Sequence, residues 1–180
     1  MTAFIDDYGL RLLQGAGLTI GLTVASMAIA LVPGLGLAVL SSVRLWPVRA
    51  AARIYVDFFR GTPLLLQLFF IYFVLPELGV YLHPIVAGIA ALSLNYAAYL
   101  SEVYRATIDA VDRGQWEAAS ALGMSSPLLF RRIVLPQALR IAVPPLGNYF
   151  IAMFKDTALV STITVPELMF TVDSLASTTY

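Results

Sequence analysis

The sequence predicts an all-α membrane protein in which several helices cross the bilayer. Of its 180 residues, 59% are hydrophobic and only 12% are charged, and the mean hydropathy is +0.83. Soluble domains are about 45–50% apolar and about 25% charged, so this chain lacks the charge to cover a soluble globular surface. The absence of cysteine excludes a thiolate metal site, and the balance of 11 basic and 11 acidic residues argues against a nucleic-acid binder.

Four apolar stretches are long enough to cross a bilayer, since a spanning helix needs about 20 mostly apolar residues. The first has no charged residue between Leu12 and Val43, and Pro33 with its neighbouring glycines is expected to loosen its inner end. In the second, Asp57 and Arg60 are three residues apart, share a helix face and partly neutralise each other. We expect the four spans at about residues 14–42, 54–76, 84–105 and 140–164.

The basic residues predict the orientation of the chain, because cytoplasmic loops carry an excess of Lys and Arg. They cluster between the first two spans and between the last two, at Arg44, Arg49, Arg53, Arg113, Arg131 and Arg132. The connection before Pro84 and the segment after Val165 contain no Lys or Arg. We therefore expect both termini outside the cytoplasm, with a polar stretch after Val165 outside the membrane.

The connection at about residues 109–136 is predicted to contain two short helices at the cytoplasmic membrane surface. Residues 115–122 are rich in Ala, Leu and Glu, which favour helix, and Gly123 follows where a left-handed cap would end it. Ser125, Ser126 and Pro127 are typical of the start of a second helix, which we expect to stop before Pro136. Composition alone indicates only an amphipathic surface hairpin.

The spacing of residues in this connection resembles the EAA loop of permease subunits of ABC importers. The matching residues are Glu117-Ala118-Ala119, Gly123, Ile133 and Leu135-Pro136. Other segments are similar to permeases for polar amino acids: Phe58–Leu64, Tyr104–Ala106, Gly114–Glu117, Gly147–Tyr149 and Lys155–Leu159. The resemblance runs from about Gly17 to Phe170 and implies a polytopic helical bundle of the binding-protein-dependent ABC importer permease type.

The resemblance implies a transport subunit rather than an enzyme. No G-x-x-x-x-G-K-[ST] phosphate loop occurs, so ATP hydrolysis is expected in a separate ATPase subunit that docks on the EAA loop. There the small alanines would permit close contact with the ATPase, Glu117 would hold the register and Gly123 would form an elbow. The coupling residues that the motif implies are Glu117, Ala118, Ala119, Gly123, Ile133 and Pro136.

The same resemblance implies an assembly in the bacterial inner membrane. Its expected members are ABC ATPase subunits, a second permease copy or a paralogue, an extracytoplasmic solute-binding protein and membrane lipid, with no nucleic acid and no cofactor. The expected solute is a polar amino acid or a related zwitterion, such as an ectoine-like or opine compound. Permeases of this family have five spans, whereas four are visible here, so the last span is expected to be missing.

Polar residues inside the spans are the candidates for the substrate path, because a charge at membrane depth costs roughly 2.5–3.5 kcal/mol and usually has a purpose. Lys155 and Asp156, about 22 Å along the fourth span from Arg140, carry the two charges that complement a zwitterion. The other candidates are Asn95, Tyr99, Glu102, Gln67 and Asn148. Hydrogen bonding between helices, or pairing with a neighbouring subunit, is the structural alternative for these side chains.

Two other classes stay open from the residues alone. A secondary transporter would normally be larger and carry inverted repeats, and neither feature is visible here. An inactive structural fragment of a permease is the second alternative. A membrane-embedded hydrolase is disfavoured, because the single histidine, His83, lies in the connection before Pro84 rather than beside a nucleophile.

Overall fold

Helices account for nearly all of the chain. The structure, a computed structural model, describes residues 2–179 and the side chains of residues 8–178. No strand occurs within those residues, which confirms the predicted all-α class. The α-helices are α1 Thr2–Leu40, α2 Trp46–Gly61, α3 Leu64–Phe69, α4 Pro84–Asp109, α5 Arg113–Ala121, α6 Ser126–Leu129, α7 Leu135–Asp156 and α8 Leu168–Thr179.

Helix α4 lies at the centre of the bundle, where it packs against α1, α2, α3 and α7. Gly34 of α1 lies against α4, where an added Cβ atom would be 3.0 Å from Leu100 Cβ and 3.2 Å from the carbonyl oxygen of Ala97. Helix α1 runs without a break through Pro33 to Leu40. The expectation that its inner end is loosened is therefore wrong, because the glycine beside the proline brings α1 against α4 instead.

The second apolar stretch, expected as one span at residues 54–76, is broken in two. Helix α2 ends at Gly61, Thr62 is extended with φ −116° and ψ 143°, and Pro63 begins a new direction. Thr62 adopts this backbone because a proline disfavours the helical conformation in the residue before it. Helix α3 continues through a π-helical turn, Phe70–Val74, and a 3₁₀ turn, Leu75–Leu78. The axis bends by 104° at the break.

The connection between α4 and α7 forms the predicted helical hairpin, but its second helix does not stop before Pro136. Gly123 has φ +74°, as expected for the left-handed end of α5. After α6, a π-helical turn at Phe130–Val134 leads directly into α7, with the N–H of Leu135 bonded to the carbonyl of Phe130. Pro136 follows this wider π turn, in which a proline ring has more room against the preceding turn than in a regular α-helix.

The segment after Val165, expected as a polar stretch, folds into helix α8. Glu167 is only 1% exposed and caps this helix, since its Oε1 accepts a bond of 2.8 Å from the N–H of Phe170. Thr19 of α1 donates to Glu167 Oε2 at 3.1 Å and accepts from the N–H of Leu168 at 3.1 Å. These bonds fasten α8 to α1.

Two helices of the described chain are long and apolar enough to cross a membrane unbroken, Tyr8–Leu40 and Pro84–Asp109. Two further candidates are bent pairs: Trp46–Gly61 with Leu64–Leu78, and Ser126–Ile163 with Leu168–Thr178, which meet at 53°. The number of such elements rises to four if each bent pair counts as one span. The helix that contains the fourth predicted span thus begins within the hairpin and passes from α7 into a 3₁₀ turn at Thr157–Ile163.

Candidate substrate cavity and coupling surface

A cavity of about 360 Å³ opens beside the break between α2 and α3. Helices α4 and α7 supply its other walls. The lining residues include charged, amide and phenolic side chains as well as backbone: Arg60, Gly61, Thr62, Pro63, Leu64, Asn95, Tyr96, Tyr99, Tyr149, Ala152 and Asp156. The cavity therefore has a cationic and an anionic side chain in one lining, in a bundle whose buried residues are mostly apolar.

Two buried amides hold the broken helix in place. Gln67 Nε2 lies 3.0 Å from the carbonyl oxygen of Phe59 and 2.7 and 3.1 Å from the Oγ1 and carbonyl oxygen of Thr62. Asn95 Nδ2 donates to the same Phe59 oxygen at 2.9 Å and to Gln67 Oε1 at 3.0 Å. The Phe59 carbonyl in the last turn of α2, and the Thr62 carbonyl just after that helix, are satisfied in this way. Both side chains thus fix the backbone of the helix break that borders the cavity, and of the two only Asn95 is part of the cavity lining.

Asp156 forms the acidic side of the cavity. Its Oδ2 accepts a hydrogen bond of 2.6 Å from the hydroxyl of Tyr96. The rings of Tyr96, Tyr99 and Tyr149 form a cluster with centroids 5.8 to 6.3 Å apart. A carboxylate accepts several hydrogen bonds, so Asp156 retains sites for an ammonium group after it binds Tyr96.

Arg60 forms the basic side. Arg60 lies in the last turn of α2, and its guanidinium carbon lies 5.4 Å from the ring centroid of Tyr99. Its Nη1 is 3.9 Å from Glu102 Oε2, while Arg105 binds the same oxygen at 2.7 Å and Asp109 at 3.2 Å. The Arg60 side chain is 43% exposed, so its guanidinium is accessible to a ligand that enters the cavity.

The predicted path residues separate into three groups. Asp156, Asn95 and Tyr99 line the cavity, whereas Gln67 lies behind it and Glu102 lies beyond Arg60. Lys155 and Asn148 are exposed on α7 and do not line it. Tyr96 and Tyr149 were not candidates for the path, and Arg60 was expected only to share a helix face with Asp57 and to belong to a segment similar to polar amino-acid permeases. A cationic residue directly before the Gly61-Thr62-Pro63 helix break was the available signal.

The hairpin that carries the EAA motif presents only part of that motif on its surface. Glu117 and Ala118 are exposed, and Leu122 is 82% exposed next to Gly123. Ala119 is 4% exposed and belongs to a small apolar cluster with Val111, Leu129, Val134 and Ala138. The small side chain of Ala119 therefore permits close packing within the hairpin. Ile133 is half-buried against this cluster, and Pro136 is exposed.

Among the residues that the structure describes, no group of three or more His, Cys, Asp or Glu side chains could hold a metal ion.

Comparison with known proteins identifies the class to which this architecture belongs. Residues 30–178 match the family described as "binding-protein-dependent transport system inner membrane component". The chain is similar to the L-cystine transport system permease protein TcyB of Bacillus subtilis (strain 168), with 45% identity over 83% of this chain and 64% of that protein. It is also similar to the octopine transport system permease protein OccM of Rhizobium radiobacter, with 41% identity over 99% of this chain and 76% of that protein.

A crystal structure of an amino acid ABC transporter with histidines has the same fold, with a TM-score of 0.93 and 38% identity. The match covers 98% of this chain and 82% of that one, and this chain spans about two thirds of the length of several curated relatives. The family match contradicts the alternative of a secondary transporter, and the alternative of an inactive structural fragment stays a prediction. The chain is an integral membrane protein of the binding-protein-dependent transport family, a permease subunit of an ABC importer of the polar amino-acid uptake type.

Proposed function

We propose that this permease carries an amino acid or a closely related zwitterion through the cavity between Arg60 and Asp156, across the bacterial inner membrane. The observation that carries the proposal is the presence of one cationic and one anionic side chain in a single lining. An amino acid brings a carboxylate for the guanidinium and an ammonium for the carboxylate. The relatives named for L-cystine and octopine carry solutes with these same two groups.

The aromatic and amide side chains of the cavity suit such a solute. Tyr96 holds Asp156 in a fixed orientation through a 2.6 Å bond, and the Asn95 amide is held by Phe59 and Gln67. A site whose polar groups are already oriented loses less entropy on binding than a flexible one. The opposite charges also limit the cost of keeping ionised groups within an apolar bundle.

We further propose that the hairpin formed by α5 and α6 docks a separate ABC ATPase subunit. Glu117, Ala118 and Leu122 lie on its exposed surface, and an apolar side chain that is 82% exposed favours burial by a partner. Because the helix of the hairpin's second half continues into α7, a movement of the hairpin would reach the cavity wall that contains Asp156. The proposed assembly is completed by a second permease copy or paralogue and an extracytoplasmic solute-binding protein.

Uptake by the assembled transporter in proteoliposomes tests the substrate path. Labelled L-cystine, octopine and L-histidine serve as probes, with ATP supplied on the ATPase side. Arg60→Gln and Asp156→Asn are each expected to reduce ATP-dependent uptake of the imported probe at least tenfold. Lys155→Met is the matched control, since Lys155 is adjacent in sequence but exposed outside the cavity. Equal uptake by all three variants would remove the cavity from the path.

Recovery of the ATPase with the purified permease tests the coupling surface. Gly123 has φ +74°, a conformation that costs a β-branched residue more than about 1–2 kcal/mol, so Gly123→Val should displace the hairpin and abolish ATPase recovery. Gly123→Asn is the control, because asparagine tolerates this conformation and should retain the ATPase. If the ATPase is recovered equally with both variants, the hairpin is not its docking site.

A further inference from the structure

A second cavity, of about 390 Å³, lies on the other side of Arg60. It is lined from the end of α1, from α2 and from the last turns of α4. Its lining residues are Ser41, Arg53, Val56, Asp57, Arg60, Glu102 and Arg105. Arg60 is the residue that the two linings share, so its side chain stands between the cavity near Asp156 and this second chamber.

The contact that places Arg60 there is a weak one. Glu102 is 3.9 Å from Arg60 but 2.7 Å from Arg105, and the side chains of Arg60 and Glu102 are 43% and 31% exposed. Ion pairs at this distance and exposure contribute little, and a second carboxylate can replace one of the partners. Glu102 would retain its bonds to Arg105 if it lost Arg60.

The second chamber has the composition to receive a carboxylate. It contains three guanidinium groups, from Arg53, Arg60 and Arg105, and two carboxylates, from Asp57 and Glu102. The excess of one positive charge favours an anionic group that arrives from the first cavity. Arginine is also suited to this task because its planar fork binds carboxylates through two parallel hydrogen bonds.

We propose that Arg60 and Glu102 form a partition between the two cavities, which the carboxylate of the transported solute opens by replacing Glu102 at Arg60. The carboxylate of the solute then moves from Arg60 into the second chamber, where Arg53 and Arg105 bind it. Glu102 then returns to Arg60 and restores the partition. Because Glu102 competes with the solute carboxylate for Arg60, it promotes release of the solute from this arginine. The inference rests on the proposed function, since it requires a solute with a carboxylate in the first cavity.

The kinetics of Glu102→Gln test this partition. The substitution keeps the shape of the side chain and removes the competing charge, so the solute should hold Arg60 more tightly and leave more slowly. A unit charge at about 4 Å in well-hydrated surroundings changes binding about fivefold. In proteoliposomes with the assembled transporter and the imported probe, both KM and kcat should therefore fall by about this factor.

A matched control and a direct binding measurement accompany the kinetics. Asp173→Asn removes an exposed carboxylate of α8 that lines neither cavity, so its KM and kcat should equal those of the original protein. In calorimetric titration of the assembled transporter with L-histidine, Glu102→Gln should lower the Kd about fivefold. L-Histidinamide, which lacks the carboxylate, should show no such difference.

The outcomes separate this inference from the proposed function. Unchanged KM and kcat in Glu102→Gln would overturn the partition, and so would a fall in kcat at constant KM and Kd. In either case, normal ATP-dependent uptake by the original protein would still support the transport role. Should Glu102→Gln fail to assemble, Glu102→Asp takes its place, because the shorter side chain weakens the competition and predicts a smaller change in the same direction. Import of none of the probes by the original protein would contradict the proposed function itself.

Discussion

Replacement of Gln67 by leucine should destabilise the break between α2 and α3. The Gln67 amide bonds Phe59 and Thr62 and accepts from Asn95, and it is only 6% exposed. Gln67→Leu keeps a side chain of similar size and removes every one of these bonds. In the variant, the Phe59 oxygen retains its bond from Asn95, whereas the carbonyl of Thr62 loses its side-chain donor.

The expected loss follows from these partners. The Thr62 carbonyl is half-buried beside the cavity, so the loss of its donor costs about 1–2 kcal/mol, the lower part of the range for an unsatisfied group, and the lost acceptor of Asn95 adds about 0.6 kcal/mol, the average for a hydrogen bond between helices in a membrane. We therefore expect Gln67→Leu to lower the free energy of unfolding by about 1.5–2.5 kcal/mol. The same substitution at Gln14, an exposed residue of α1, is the control and should change it by less than about 0.5 kcal/mol.

Titration of the purified permease from mild-detergent micelles into sodium dodecyl sulfate, followed by circular dichroism, measures this free energy. A shifted midpoint with an unchanged slope is expected for Gln67→Leu. Equal midpoints for the Gln67 and Gln14 variants would refute the reasoning, since they would mean that the amide does not hold the broken helix.

Two further substitutions probe close packing in the same unfolding assay. Gly34→Leu should cost about 1–3 kcal/mol, because an added Cβ there already meets Leu100 and the backbone of Ala97. At Gly36 an added Cβ meets no atom within 4 Å, so Gly36→Leu should cost less, and equal losses would contradict the packing of α1 on α4. Ala119→Leu should overfill the hairpin and cost about 1–3 kcal/mol, while the exposed Ala118→Leu should leave unfolding unchanged and instead reduce recovery of the ATPase; the reverse pattern would show that Ala119 faces the partner.

The sequence was sufficient for the class of the fold and for the hairpin's elbow. Long uncharged stretches leave helices as the favoured structure in a bilayer, since they satisfy their own backbone groups. Gly123 follows a run of helix formers, and its left-handed conformation is confirmed. The family also followed from the spacing of the EAA motif, which the family model bears out.

Proline positions were harder to interpret, because their effect depends on the surrounding helix. Pro33 lies inside a continuous helix, Pro63 accompanies a sharp break, and Pro136 follows a π-helical turn. In sequence all three are prolines beside apolar residues. Tertiary contacts distinguish the first two. Gly34, next to Pro33, packs on α4, whereas the carbonyls of Phe59 and Thr62 before Pro63 accept hydrogen bonds from Asn95 and Gln67.

The composition of the cavity could be predicted only in part. Asp156 was a candidate because a charge in an apolar stretch is conspicuous, and its neighbour Lys155 was equally so. Successive helical residues point about 100° apart, so only one of the two could face the cavity, and contacts between distant helices decide which one does. Arg60 faces the cavity because α2 ends there, a fact that depends on the break rather than on hydropathy.

An experimental density map of the assembled transporter with bound L-histidine, L-cystine or octopine would test the central claim most directly. The account predicts solute density in the cavity beside the α2–α3 break, with a carboxylate at the Arg60 guanidinium and an ammonium at the Asp156 carboxylate. Solute density elsewhere in the membrane region, with Arg60 still paired to Glu102 and the cavity filled by lipid or by side chains, would contradict it.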